Sequence, residues 1–198
     1  MKTLLLISIL TMAVSASAIV DPDPDGVGIY FDTTADQTTI TTSVPFKLVT
    51  AYLIATNISV PSGISRWQAS LRHEGEVVER DGWIFEGNQY DPDPDDYLVT
   101  PGVLNPLPWS EAIILATWQG YVWFPVSRIT FYIGARGGSP ALPDTPGYSA
   151  GDDLTDIHIL NVSSGIEFDR PVAVINPGDM DVVENDSATM SRLKTLYR

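Results

Sequence analysis

Apolar and polar positions alternate with a period of two from Ile64 to Arg72. There Trp67, Ala69 and Leu71 fall on one side and Arg66, Gln68, Ser70 and Arg72 on the other, the signature of a half-buried strand. Phe46 to Asn57 (FKLVTAYLIATN) is a long apolar segment rich in Val, Ile, Tyr and Thr, and predicts a strand ending before Pro61-Ser62-Gly63. Further β-prone runs lie at Val27–Asp32, Thr38–Thr42, Glu76–Val78, Trp83–Phe85, Ile113–Trp118, Tyr121–Phe124, Ile129–Ile133, His158–Val162 and Val172–Ile175. Between them stand turn residues: Asp81-Gly82, Glu86-Gly87-Asn88, Pro101-Gly102, Gly137-Gly138 and Pro146-Gly147. His73-Glu74-Gly75 also reads as a turn. Many short strands at this spacing predict an all-β fold, a two-sheet antiparallel sandwich of jelly-roll-like kind. An eight-stranded outer-membrane barrel fits less well, because Pro and Gly break the segments.

The two ends read differently. Lys2, the apolar run Leu4–Val14 and the small-residue site Ala16-Ser17-Ala18 form a secretory signal peptide, residues 1–18. The apolar run is too short to cross a bilayer, so no transmembrane span is expected in the mature chain. The sandwich domain then covers 19–176. Residues 177–198 form an acidic linker with Asp181, Glu184 and Asp186, followed by a short basic amphipathic tail. In that tail, Met190, Leu193 and Leu196 or Tyr197 recur at helical spacing behind Asp186 or Ser187 as a cap, with Arg192, Lys194 and Arg198 as its charges. The expected location is extracytoplasmic: periplasm, cell surface or medium.

Composition narrows the chemistry. The chain has no cysteine, which excludes thiol catalysis, iron–sulfur clusters, cysteine zinc sites and disulfides. A formal charge of −14 repels phosphate backbones, so no nucleic-acid partner is expected. Acidic loops do suit divalent cations. Asp21, Asp23, Asp25, Gly26 and Asp32 match positions of a calcium-loop pattern, making Ca²⁺ the candidate cofactor and Asp21, Asp23, Asp25 and Asp32 the candidate ligands. Pro22 and Pro24, and the strand-like Val27–Asp32, weigh against that match. Asp91–Asp96 (DPDPDD) and Gly151-Asp152-Asp153 with Asp156 are further acidic loops of the same kind.

The two histidines, His73 and His158, are too few for a three-histidine zinc site. His158, within Ile157-His158-Ile159, reads as a strand residue facing solvent. No serine sits in a G-x-S-x-G elbow and no pair of carboxylates is marked out by its context, so no catalytic residue is assigned and no enzyme activity is expected. Trp118, Tyr121 and Trp123 form an irregular aromatic group, and are the candidate ligand-binding residues for a glycan-stacking platform. Asn57, Asn161 and Asn185 begin glycosylation sequons, where no modification is expected in a bacterial product.

Several segments carry a resemblance. They are Gly28-Ile29-Tyr30-Phe31-Asp32, Pro45-Phe46-Lys47, Gly63–Trp67, Leu107-Pro108-Trp109-Ser110 ahead of Ile113–Thr117, Phe131-Tyr132-Ile133, Pro146-Gly147-Tyr148 with Gly151-Asp152, Ser163-Ser164-Gly165, Pro171–Asn176 and Leu193–Arg198. Through them the chain resembles a group of uncharacterised, exported β-sandwich proteins of environmental bacteria. The resemblance implies a sandwich architecture and an extracytoplasmic setting, and no activity. Val44–Leu71 is also similar to cohesin-type scaffold modules, which implies a protein partner. Two functions follow as expectations: a non-catalytic binding or structural module of the envelope or extracellular space, or a carbohydrate-binding or carbohydrate-active protein using Trp118, Tyr121, Trp123 and the acidic loops.

Overall fold

Trp67, Ala69 and Leu71 are buried and Arg66, Gln68 and Arg72 partly exposed, so the alternation does set the inward face of that strand. The structure is a computed structural model describing residues 23–91, 93–139, 144–162 and 170–178. The segments read as a signal peptide and as an amphipathic tail, and Asp21, lie outside the described residues. The strands are β1 (Gly26–Tyr30), β2 (Thr39–Ile40), β3 (Lys47–Thr56), β4 (Ile64–Glu74), β5 (Val77–Phe85), β6 (Asn88–Gln89), β7 (Asp96–Thr100), β8 (Ala112–Val122), β9 (Ile129–Gly134), β10 (Gly147–Ala150), β11 (Ile157–Ile159), β12 (Asn161–Val162) and β13 (Ala173–Ile175). Among the described residues there is no helix, hence none long and apolar enough to cross a membrane.

They form two sheets. The first has the order β12-β1-β3-β8-β5; the second runs β11-β10-β4-β9-β13-β2, with β7 and β6 added beside β4. Trp67 pairs with both Val99 and Tyr148, and Ser70 with both Asp96 and Gly134. Strand β4 is therefore flanked by β7 on one edge, and on the other by β10 then β9. The pairing is antiparallel except at two edges, where β12 lies parallel to β1 and β2 parallel to β13. The architecture is the two-sheet, jelly-roll-like sandwich that the strand pattern predicts.

The core lies between the sheets. Trp118 meets Phe131 edge-on, with centroids 5.0 Å apart and planes at 79°, and Trp67 lies 5.9 Å from Phe85. Both tryptophans are fully buried, and aromatic side chains of this size dominate a core's apolar area. A smaller cluster of Tyr30, Ala35 and Ile54 covers the other side of the first sheet.

Two predicted turns are not turns. Asp81-Gly82 lies within β5, where the ladder to β8 shifts register between Glu79 and Gly82: a bulge that keeps one strand running. The break read between Trp118 and Tyr121 is likewise filled by continuous β8. Gly120 is there because the Trp118 ring occupies the space above it; a Cβ would stand 2.4 Å from the ring. The true corner is at Gly75, where the chain leaves β4 of one sheet for β5 of the other. Its φ of +115° and the Arg128 carbonyl oxygen 2.3 Å from an ideal Cβ leave room for glycine alone. His73 and Glu74 belong to β4 rather than to that turn.

Candidate functional site

The acidic loops come first, because their carboxylates are already engaged. Asp25 Oδ1 accepts the Ser59 amide at 2.7 Å and the Tyr148 hydroxyl at 2.5 Å. Asp32 Oδ1 accepts the amides of Asp36 at 3.1 Å and Gln37 at 3.3 Å, and Oδ2 accepts the Thr34 hydroxyl at 3.0 Å. Those bonds shape the loop that carries Ala35 over Tyr30. Between Asp25 and Asp32 runs extended β1, which separates them by roughly 20 Å at about 3.3 Å per residue. A calcium loop must curl its ligands around one ion at about 2.4 Å. Of the candidate set Asp21, Asp23, Asp25 and Asp32, Asp25 and Asp32 are thus not brought together: they serve separate structural bonds at opposite ends of a strand. No group of three or more metal-ligating side chains is found among the described residues.

The second acidic loop is held by its own backbone. Asp91 Oδ1 accepts the Asp93 amide and Asp93 Oδ1 the Asp95 amide, both at 3.1 Å, while Asp96 Oδ2 accepts the Gly137 amide at 2.7 Å. Arg136 closes an ion pair on Asp91. The Asp93 amide and the Arg136 guanidinium hold the Asp91 carboxyl below its ordinary value, against the opposing effect of burial. In the third loop, Asp153 accepts the Thr155 hydroxyl at 2.6 Å and amide at 2.8 Å, which lower its pKa.

The aromatic candidates separate. Trp118 is fully buried in the core, and its indole N–H donates to Glu79 Oε1 at 3.0 Å. It cannot stack on a ligand at the surface. Tyr121, three positions along β8, is partly exposed, whereas Trp123 lies just beyond the strand and is 40% exposed. The proposed platform of Trp118, Tyr121 and Trp123 is therefore not one surface. The signal for this lay in the strand parity: Trp118, Gly120 and Val122 point inward together.

Trp123 has other company. It packs against Phe46 with centroids 4.5 Å apart and is edge-on to Phe124 at 6.2 Å. Phe46 adopts φ +54°, a left-handed conformation that costs a bulky residue about 1 kcal/mol or more. Val44, Val78 and Val126 are also exposed at this end.

The histidines are also corrected. Along β11 it is Ile157 and Ile159 that are exposed, while His158 turns the other way and stacks on Tyr148 at 5.1 Å and 22°. Its Nε2 lies 3.2 Å from Asp156 Oδ1. Packing against an aromatic ring outweighs solvation of a single imidazole here. His73 packs against both Trp118 and Phe131, with ring centroids 5.8 and 6.0 Å away, and its Nδ1 is 3.8 Å from Glu79.

A groove of about 180 Å³ opens on the second sheet, between β4, β7, β10 and β11. Arg66 and Gln68 rise from the polar side of β4, Leu98 from β7, Ser149 from β10 and Ile157 from β11. The Arg66 guanidinium donates to Ser149 Oγ at 3.0 Å and to the Leu154 carbonyl at 2.8 Å. Gln68 and Ser139 exchange hydrogen bonds of 2.8 and 3.0 Å. Both Arg66 acceptors are uncharged, so the guanidinium gives the groove a positive charge on an acidic protein. Sequence reading missed this site because two of its walls, β7 and β10, were not among the predicted strands. Tyr97–Thr100 follows the acidic run too closely to stand out, and Gly147–Ala150 opens on a turn dipeptide. Arg66 and Gln68, placed on the polar side of their strand, were the available signal.

No protein-family model matches the chain, and no curated protein matches it. Among solved structures it is similar to cohesin modules. One is the sixth cohesin of Acetivibrio cellulolyticus scaffoldin B in complex with a Cel5 dockerin mutant, 14% identical over 77% of this chain and 99% of that one, with a TM-score of 0.41. A second is a type II cohesin domain from the cellulosome of Acetivibrio cellulolyticus, 16% identical over 78% and 96%, with a TM-score of 0.44. A third is the seventh ScaB type I cohesin of Pseudobacteroides cellulosolvens, 13% identical over 74% and 94%, with a TM-score of 0.36.

Proposed function

We propose that the mature chain is an extracytoplasmic, non-catalytic binding module that docks a partner protein on the outer face of its second sheet. The observation that carries this reading is the Arg66 groove. It sets the Arg66 guanidinium, whose acceptors are uncharged, and the amide of Gln68 beside the aliphatic side chains of Leu98 and Ile157, with Arg136 held by Asp91, on a chain whose formal charge is −14. That mixture suits a protein edge presenting a carboxylate next to an apolar side chain. Strand β11 ends the sheet, so the exposed Ile157 and Ile159 extend the groove to an edge. The export reading rests on the leader. A glycan platform has less support, since Trp118 is in the core.

The test is capture from culture medium and periplasm on immobilised protein, followed by titration of the captured species. Arg66→Glu and Ile157→Glu are expected to weaken binding at least tenfold. Leu104→Ser, a 98% exposed residue away from the groove, is expected to leave it unchanged. Equal binding by all three variants would refute the groove as the docking face.

A further inference from the structure

The end of the sandwich opposite the β3–β4 connection carries six exposed apolar side chains: Val44, Phe46, Val78, Trp123, Phe124 and Val126. Phe46 and Phe124 each contact Trp123, and Trp123, Phe124 and Val78 share the wall of a shallow pocket with Glu76. An apolar group of this size on a soluble domain marks a surface that something covers. We propose that the occupant is this chain's own C-terminal segment, Ser187–Arg198, folded back onto the sandwich.

Three observations select that segment. The first is where the described chain ends. Strand β13 runs antiparallel to β9, so it delivers Asn176 to the same end as the apolar group. There Asn176 donates to the Ser127 carbonyl at 2.8 Å and pairs with Thr42. The Ser127 amide in turn donates to the Phe124 carbonyl at 3.0 Å. The chain therefore leaves at Gly178 beside the loop that carries Phe124 and Val126. The second is reach. The residues between Gly178 and Ser187 span up to roughly 30 Å when extended, ample for a neighbouring surface. The third is complementarity. The segment supplies Met190, Leu193 and Tyr197 at spacings that share one side, with Arg192, Lys194 and Arg198 as its charges, and the pocket wall holds the exposed carboxylate Glu76. A tail held in cis also needs no second component, because its local concentration is set by the linker.

The absence of cysteine makes the test clean, since two introduced thiols are the only ones present. In the chain from Ile19 to Arg198, the pair Val126→Cys/Leu193→Cys is oxidised and compared with Leu104→Cys/Leu193→Cys. Val126 and Leu104 are 86% and 98% exposed, so neither change disturbs packing, and Leu104 stands at the far end of the sandwich. The intramolecular disulfide is expected to form at least tenfold faster in the Val126 pair, and Trp123→Ser is expected to slow it to the control rate. Equal rates in the two pairs overturn the proposal, as does a rate that Trp123→Ser leaves unchanged. Intermolecular disulfides in the Val126 pair overturn it in favour of a second copy as the occupant.

Discussion

The Tyr148 hydroxyl donates to Asp25 Oδ1 at 2.5 Å, across 123 positions of sequence, and so fastens β10 of one sheet to the entry of β1 in the other. The same carboxylate oxygen takes the Ser59 amide from the β3–β4 connection. Asp25 has φ +56°, a conformation that Asn and Asp tolerate better than most residues. Removing the hydroxyl leaves the carboxylate with the amide alone. Tyr148→Phe should therefore cost about 1–2 kcal/mol of unfolding free energy, read from urea denaturation. A cost within error of zero would show that the bond is not a fastening.

Alkaline stability follows from the same phenol. Burial first, and the bond to Asp25 second, push the Tyr148 pKa above its ordinary value; burial and the charges of Asp95 and Glu79 push Tyr97 up to about 12. The folded state then holds protons that the unfolded state releases near pH 10, so stability is complete below about pH 10 and declines as pH rises above it. The urea midpoint should fall steeply from pH 10 to 12 in the natural sequence and less steeply in Tyr148→Phe. Parallel curves would contradict this.

Acid sensitivity has the opposite sign. Asp91 titrates below its ordinary value of 3.8. Its contribution is present above the unfolded value and is lost as pH falls through the lowered one. Arg136→Ala should cost about 1–3 kcal/mol at pH 7, and less at an acid pH below the lowered Asp91 value. Equal losses at both pH values would assign the effect to packing.

Trp118 and Trp123 are five residues apart and should behave as opposites. Trp118→Ala removes a buried ring and should cost about 3–5 kcal/mol, whereas Trp123→Ala should cost about 1 kcal/mol by losing its contact with Phe46. Thermal or urea unfolding separates them. A glycan affinity that disappeared in Trp118→Ala with unfolding unchanged would reverse the placement of that ring.

Calcium should leave the fold alone. Asp32→Ala is expected to lose about 1 kcal/mol because two backbone amides lose their acceptor, equally in chelator and in millimolar Ca²⁺. A stabilisation by Ca²⁺ that Asp32→Ala abolished would restore the acidic entry as a metal site.

Strands with clear alternation or long β-branched runs, such as β3 and β4, were legible from their residues. So was the inward placement of Trp67. Legibility failed where local chemistry pointed one way and packing another. Gly120 looks like a break, but it is a gap made for the Trp118 ring. Asp81-Gly82 looks like a turn, but the flanking residues keep their partners in β8 and the excess is absorbed as a bulge. The carboxylates of Asp25 and Asp32 have calcium-loop spacing, yet β1 between them is pulled straight by pairing with β3. The groove escaped notice because strand pairing assembles it from four separate segments. Only Arg66 and Gln68 advertised a polar face.

Strands β1 and β13 run in the same direction, so the described chain enters at one end of the sandwich and leaves at the other. Tension applied between the two ends therefore acts along the strands. It loads the ladders of β1 with β3 and of β13 with β9 in shear, where many hydrogen bonds resist together, rather than peeling them one by one. The mechanical strength of the sandwich in that direction should exceed its strength when pulled across the sheets.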